Sequence, residues 1–163
     1  MSQDRKSVVL ETTGEAVALA RKLIREARHG ALATLEPRSG RPIATRVGLA
    51  TDADGTPIIL ISALAAHAPA LRADPRCSLL VGETGKGDPL AHPRITLHCN
   101  AREIERGSPE EAGIGARYLA HNPKAALYAG LGDFRYFRLE PIEASLNAGF
   151  GRAYALSAAD VLV

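Results

Sequence analysis

Residues 42–62 read PIATRVGLATDADGTPIILIS, and this stretch decides the fold. Between residues 43 and 51, β-branched or apolar residues alternate with small or polar ones, a period of two that is typical of a half-buried strand. Asp54-Gly55 is a strong hairpin signal, and Pro57–Ser62 is a β-branched run that predicts a second strand. The two strands must pair antiparallel, because a parallel crossover needs a dozen or more residues.

The flanking segments show the same close spacing of strands, with short helices between them. The pattern predicts further strands at 31–35, 76–81, 95–104, 134–146 and 149–156, and helices at about 14–29, 65–73, 109–121 and 123–128. Thr12 and Glu15 form a capping-box pattern for the first helix, and Arg28 and His29 stand in its expected last turn. Closely spaced strands with helices at their ends indicate a small, mainly β antiparallel barrel. We expect residues 1–13 to form a flexible arm and residues 14–163 to form a single domain.

Length and composition exclude several classes of protein. A chain of 163 residues, 46% hydrophobic and 23% charged, suits one soluble globular domain and argues against disorder. No apolar run approaches the ~20 residues of a membrane span. A net charge of +2 is too balanced to indicate nucleic acid or an anionic membrane as a partner. Two cysteines, Cys77 and Cys99, with no secretory signal, predict a cytoplasmic protein with buried, unlinked thiols.

Several common catalytic motifs are missing from the sequence. It has no G-x-G-x-x-G for a dinucleotide and no G-x-S-x-G for an esterase nucleophile. Gly85-Lys86 lacks the flanking residues of a phosphate-binding P-loop, so a hairpin loop is the better interpretation. The histidines and cysteines show no spacing that is typical of a metal site, and we expect none.

The strand at 43–51 offers a first candidate for a binding surface. Its even-numbered residues are Ala44, Arg46, Gly48 and Ala50, so this face is small except for one arginine. Small side chains leave room for a flat ligand, and a guanidinium can bind a phosphate through two hydrogen bonds. The alternative is a solvent-exposed face with one surface arginine, and the strand alone does not exclude it.

A second candidate follows the next strand. Ser62 ends that strand, and His67 begins a helix five residues later. A strand-to-helix turn presents free backbone N–H groups, which bind phosphate readily. The alternative is a capped turn with an exposed His67, and both interpretations stay open.

Taken together, these residues resemble the pyridoxamine 5′-phosphate oxidase-like family of FMN-binding split β-barrels. The resemblance is carried by PIATRV at 42–47, by Ser62 and His67, and by LRADPRCSLL at 71–80. Three further segments are similar to the haem-utilisation branch of that family: GDPL at 87–90, YAGLGDFR at 128–135 and GFGRA at 149–153. The resemblance covers about residues 14–160.

The resemblance implies an antiparallel split β-barrel with peripheral short helices and an FMN-dependent oxidoreductase of unknown substrate. It implies that Arg46 and Ser62 bind the FMN phosphate, with Val47 beside Arg46. His67 stands at the position of the family's phosphate-binding lysine, and Arg94 at that of a flavin-contacting glutamine. In this family the cofactor lies between subunits, so the resemblance also implies a homodimer. Nothing in the sequence identifies an acid–base catalyst.

A haem-binding or haem-utilisation protein that does not use flavin is the alternative. Such a protein needs an axial ligand to the iron, and four histidines are candidates: His67, His92, His98 and His121. A ligand-free dimeric interaction module is a third interpretation. The aromatic residues Phe134, Tyr136 and Phe137 alternate on one strand and suggest a dimer interface or a plug of the barrel.

Overall fold

The computed structural model describes residues 8–163. Eight strands are present in this range: β1 (Val9–Leu10), β2 (His29–Leu35), β3 (Pro42–Thr51), β4 (Pro57–Ser62), β5 (Arg76–Val81), β6 (Arg94–Glu103), β7 (Phe134–Asn147) and β8 (Ala153–Ser157). Four α-helices accompany them: α1 (Gly14–Glu26), α2 (His67–Ala73), α3 (Pro109–His121) and α4 (Ala158–Val161). Two short 3₁₀ helices span Pro89–Ala91 and Pro123–Leu127.

The six strands β2 to β7 close into a barrel. The sheet order is β1-β8-β7-β4-β3-β2-β5-β6, and β6 also pairs with β7. Every pairing within the barrel is antiparallel, while β8 extends the sheet from β7 and β1 adds to β8 in parallel. The predicted antiparallel pairing of β3 with β4 and the predicted antiparallel split barrel with peripheral short helices are confirmed.

The barrel is split between β3 and β4. Their ladder joins only Leu49–Thr51 to Pro57–Ile59. The earlier part of β3 continues alone along β2, and the end of β4 continues along β7. The first half of β3 therefore has no hydrogen-bonded partner strand on the side of β4.

Apolar residues form two separate cores. The interior of the barrel holds the larger core, which includes Leu32, Leu49, Leu79 and Phe137. A smaller cluster lies outside the barrel wall, where Tyr118 of α3 packs edge-on against Tyr136 of β7, with ring centroids 5.6 Å apart. Phe137 and Tyr136 are thus buried on opposite sides of β7, Phe137 inside the barrel and Tyr136 against α3.

Helix α1 is shorter than predicted. Thr13, not Thr12, caps it by accepting a hydrogen bond from the Ala16 amide at 3.1 Å. The helix ends at Glu26 instead of residue 29, because Arg28 accepts a hydrogen bond from the Leu49 amide and His29 already pairs with Gly48. Pairing with the sheet overrides the helical periodicity there. Ser108 caps α3, and Ser157 caps α4.

The predicted N-terminal arm lies partly outside the described residues. Residues 1–7 are not described, whereas Val9 and Leu10 pair with Ala153 and Tyr154 of β8. Thr12 donates its hydroxyl hydrogen bond to the Ala155 carbonyl at 3.0 Å. The division into an arm and a single domain stays a prediction. Among the described helices, none is long and apolar enough to cross a bilayer.

Candidate functional site

A cleft of about 820 Å³ lies on the outer wall of the barrel. It lies between the end of α1, the strands β2, β3 and β5, and the loop after β5. The lining residues with ionisable side chains are Glu26, Arg28, His29, Arg46 and Glu83, and the apolar side chains are Leu23, Ala27, Ala31, Ala44, Leu80, Val81 and Pro93. We call it the arginine cleft. Its volume falls within the range of cofactor sites, roughly 300–1,000 Å³.

Strand register builds the floor of the arginine cleft. Ala31 lies opposite Arg46 on β3 and opposite Leu80 on β5, so these three side chains share the outer face of the sheet. Ala44 follows on the same face two residues before Arg46. The small side chains of the two alanines leave space above the sheet, and Leu80, which is 43% exposed, forms an apolar wall beside that space.

The small face predicted for β3 is open along only half of its length. Ala44 and Arg46 are exposed and line the arginine cleft. Further along the strand, the Tyr118 hydroxyl lies against Gly48, and Ala50 is buried in the outer cluster. The expectation of an open ligand surface is therefore wrong for Gly48 and Ala50, because α3 covers them.

Two arginines in the arginine cleft are free to bind an anion. Within residues 8–163, the guanidinium groups of Arg28 and Arg46 make no hydrogen bond or ion pair, and both side chains are exposed. The nearby His29 is engaged, since its Nε2 lies 3.0 Å from Oε1 of Glu83. The cleft thus combines apolar walls with two unpaired cations, an arrangement that suits a flat apolar ligand with more than one negative group.

The turn after β4 is already occupied by contacts within the chain. Ser62 donates its hydroxyl hydrogen to Oδ2 of Asp133 at 2.9 Å and accepts from the Leu64 amide at 3.2 Å. The amides of Ala63, Ala65 and Ala68 also donate to carbonyl groups, which leaves at most those of residues 66 and 67 for a ligand. The carboxylate of Asp133 places negative charge next to Ser62, where a phosphate was expected.

His67 adds little positive charge to this turn. Burial lowers the pKa of the half-buried His67, so the imidazole is neutral at neutral pH. Helix α2 has only seven residues, and Ala66 before it makes no side-chain capping bond. Ser62 thus makes its contacts within the chain, and a phosphate-binding role for Ser62 and His67 stays a prediction.

The five predicted cofactor residues are distributed over several places. Arg46 lines the arginine cleft, whereas Ser62, His67 and Arg94 do not. Val47 is 3% exposed and points into the barrel, so only its backbone is near Arg46. Arg94 donates from Nη1 to the carbonyl oxygens of Leu90 and His92, at 3.1 and 3.4 Å, and fastens the loop before β6.

The four histidines proposed as haem ligands are not among the residues that line the arginine cleft. His121 contacts the Ala27 carbonyl through Nε2 at 2.9 Å, and His92 contacts the Lys86 carbonyl at 3.0 Å. His98 is exposed, contacts Ser78 Oγ at 3.0 Å and lines a separate groove of about 400 Å³. Within residues 8–163, no three His, Cys, Asp or Glu side chains gather as a metal site would require.

His29 is the histidine that the sequence interpretation missed. It was assigned to the last turn of α1, but it begins β2 and lines the arginine cleft. The sequence carries little signal for this, because the buried face of β2 consists of Gly30, Leu32 and Thr34, of which only Leu32 is apolar.

Comparison with known proteins gives a family and two functional names. The profile of the family described as Pyridoxamine 5′-phosphate oxidase matches residues 17–148. The chloroplastic heme oxygenase HOZ of Arabidopsis thaliana is 37% identical over 128 residues, which are 77% of this chain and 38% of that protein. This chain therefore spans well under half of that relative. Heme oxygenase HutZ of Vibrio cholerae is 31% identical over 140 residues, 80% of this chain and 75% of that one.

One similar solved structure also has a name that refers to haem. The heme binding protein from Mycobacterium smegmatis superposes with a TM-score of 0.83 and is 28% identical. The match covers 92% of this chain and 61% of that one. The barrel and its order of elements are thus shared with a protein whose name refers to haem.

Proposed function

The chain belongs to the pyridoxamine 5′-phosphate oxidase family, in its haem-utilisation branch, and we propose that it binds haem in the arginine cleft. The observation that carries the proposal is the pair of unpaired arginines, Arg28 and Arg46, beside the apolar floor of Ala31 and Ala44. The names of relatives from Arabidopsis thaliana, Vibrio cholerae and Mycobacterium smegmatis support the same ligand.

The chemistry of haem matches the lining of the arginine cleft. A porphyrin is a flat apolar ring that carries two carboxylates on one edge. The alanine side chains and Leu80 can pack against the apolar ring. Arg28 and Arg46 can donate charge-assisted hydrogen bonds to the two carboxylates, and such bonds are stronger than those between neutral groups. When bound, haem supplies the redox chemistry of its iron, and the protein supplies binding and orientation.

FMN was the first expectation from the resemblance, and the described contacts favour it less. Its phosphate is a dianion that needs concentrated positive charge. Near the turn after β4, Ser62 is bonded to the Asp133 carboxylate and His67 is neutral. Of the predicted phosphate residues Arg46, Ser62 and His67, Arg46 alone brings a positive charge at neutral pH, so the flavin interpretation has weaker support than the haem interpretation.

A homodimer remains part of the proposal. The outer face of the sheet exposes Leu80 on β5 and Ile142 on β7, which are 43% and 54% accessible. Such residues can bury their surface against a second copy, which would also cover the open side of the arginine cleft. Sedimentation at micromolar concentration is expected to give a dimer, and monomer alone would argue against this arrangement.

Titration with hemin tests the proposal. Purified protein is titrated with hemin by absorbance and, in parallel, with FMN by fluorescence. We expect saturable hemin binding, and roughly a tenfold loss of affinity in Arg28→Ala and in Arg46→Ala. A charge-assisted hydrogen bond is worth about 1.5–3 kcal/mol before solvent screening, and ~1.4 kcal/mol is one decade.

The matched control is Arg152→Ala. Arg152 is exposed, lies outside the arginine cleft and has a side chain without a partner among residues 8–163. Its replacement removes one positive charge and is expected to leave hemin affinity unchanged. Tight FMN binding together with absent hemin binding would overturn the proposal and restore the flavin interpretation.

A further inference from the structure

Within residues 8–163, His29 is the one side chain of an iron-binding type that lines the arginine cleft. Haem proteins hold the iron through an axial histidine, cysteine, methionine or tyrosine, and the other lining residues are of different types. Nε2 of His29 lies 3.0 Å from Oε1 of Glu83, so this nitrogen is already engaged. Nδ1 adjoins the side chain's own Cβ and the backbone of β2, where a flat macrocycle would meet the strand. His29 is therefore not placed to bind the iron of a porphyrin in this cleft.

The acidic residues on the wall of the arginine cleft have partners other than its two arginines. Glu83 is paired with His29, and Oε2 of Glu26 lies 3.2 Å from Nζ of Lys22. In the described part of the chain, the guanidinium groups of Arg28 and Arg46 use none of their N–H donors. Both cations are thus left to a ligand.

A porphyrin carries the groups that these two arginines lack. Two carboxylates stand on one edge of its apolar ring, and each can accept charge-assisted hydrogen bonds from a guanidinium. The floor of the cleft can pack against the ring, because Ala31 lies opposite Arg46 on β3 and opposite Leu80 on β5. None of these contacts involves the metal at the centre of the ring, so a metal-free porphyrin would make them equally well.

We propose that the arginine cleft recognises the two carboxylates and the flat ring of a porphyrin and not its iron. The class of ligand is then the dicarboxylic porphyrins, with or without a bound metal. The inference rests on the proposed function, since it concerns the same cleft, and it extends the range of ligands beyond haem.

Three ligands that differ in the metal or in the carboxylates test the inference. The protein is titrated with hemin, with metal-free protoporphyrin IX and with protoporphyrin IX dimethyl ester. The chain has no tryptophan, so the absorbance or fluorescence of the porphyrin is the signal. We expect the affinities for hemin and protoporphyrin IX to agree within about threefold. The ester should bind roughly tenfold to a hundredfold more weakly, because it loses the charge-assisted hydrogen bonds to the two arginines.

Arginine variants show whether the carboxylates bind at this cleft. Arg28→Ala and Arg46→Ala should weaken the binding of hemin and of protoporphyrin IX by the same factor, roughly tenfold. Both variants should leave the weak binding of the ester nearly unchanged. Arg152→Ala is the matched control, since Arg152 is exposed and lies outside the cleft, and it should affect none of the three ligands. Variants that weaken protoporphyrin IX binding but not hemin binding would show that the iron is recognised, and would overturn the inference.

The outcomes separate this inference from the proposed function. Hemin binding that is more than about tenfold tighter than protoporphyrin IX binding overturns the inference and leaves haem binding intact. Equal affinity for protoporphyrin IX and its dimethyl ester overturns the inference as well. Failure of both hemin and protoporphyrin IX to bind overturns the proposed function, and this inference with it.

Discussion

The Tyr118 hydroxyl lies where a side chain on Gly48 would begin. This contact joins α3 to the outer face of β3 and limits the arginine cleft on that side. Tyr118 is 1% exposed and packs with Ile58, Ile114 and Tyr136 in the outer cluster. A glycine is therefore required at residue 48 by the neighbour above it, because its backbone has no unusual φ.

Gly48→Ala is expected to destabilise the fold. The added methyl would overlap the Tyr118 hydroxyl, and overpacking of this kind costs about 1–3 kcal/mol. Removing the hydroxyl in Gly48→Ala/Tyr118→Phe should recover most of that loss. Urea denaturation of the two single variants and the double variant measures the coupling, and strict additivity would show that the overlap is not the cause.

Removing the largely buried charge of Arg138 is expected to destabilise the fold. It bonds both Asp52 and Asp54 (Nη2 lies 2.8 Å from Oδ2 of Asp54), and the side chains of Arg138 and Asp52 are 14% and 12% exposed. Arg138→Gln leaves the nearly buried Asp52 with Arg117 as its ion-pair partner, and the predicted loss is about 3 kcal/mol. Arg152→Gln is the control and should stay within about 0.5 kcal/mol of wild type. A loss below 1 kcal/mol in Arg138→Gln would contradict the prediction.

Asp54 should stabilise the folded protein at neutral pH, and this stabilisation should be lost in acid. Burial raises the pKa of Asp54, but the hydrogen bonds from Arg138 and Thr56 outweigh it, so the net pKa lies below its ordinary value. A carboxyl with a lowered pKa stabilises the fold above the unfolded pKa of about 3.9, and this contribution disappears as the pH falls through the folded pKa.

The variant Asp54→Asn measures this stabilisation, because an amide oxygen can still accept from the Thr56 amide. The difference in unfolding free energy between wild type and variant should be about 1 kcal/mol at pH 7, since the side chain is 45% exposed. It should shrink below about pH 4. A difference that is constant from pH 7 to pH 3 would rule out a titrating role.

Cys77 and Cys99 are expected to stay unlinked and unreactive in the native protein. They are register partners on β5 and β6, and both side chains are buried. Burial raises the pKa of the Cys77 thiol to about 12 and that of Cys99 further, so little thiolate forms at pH 8. Iodoacetamide should label neither residue until the protein is unfolded. Rapid native labelling, or an intact mass lower by two hydrogens without reductant, would count against this.

The sequence was sufficient for the barrel because its signals are local. The Asp54-Gly55 turn and the alternation along β3 depend on neighbours in the chain, and both were predicted correctly. The end of α1 was missed because the pairing of His29 with Gly48 depends on a strand nineteen residues later. Helical periodicity cannot report such a contact.

The candidate site was predicted only in part for the same reason. Arg46 was found, since its strand shows one charge among small residues. The covering of Gly48 by Tyr118 and the bond between Ser62 and Asp133 join segments about seventy residues apart. No spacing in the sequence predicts either contact.

The central claim is that haem binds in the arginine cleft, and filling the cleft tests it most directly. Ala44→Trp places an indole on the exposed floor beside Arg46, while Ala155→Trp adds the same side chain to an exposed position of β8 outside the cleft. Both variants should keep the thermal unfolding midpoint of wild type. Hemin titration is predicted to show at least a tenfold loss of affinity in Ala44→Trp and none in Ala155→Trp. Unchanged hemin affinity in a folded Ala44→Trp variant would contradict the account.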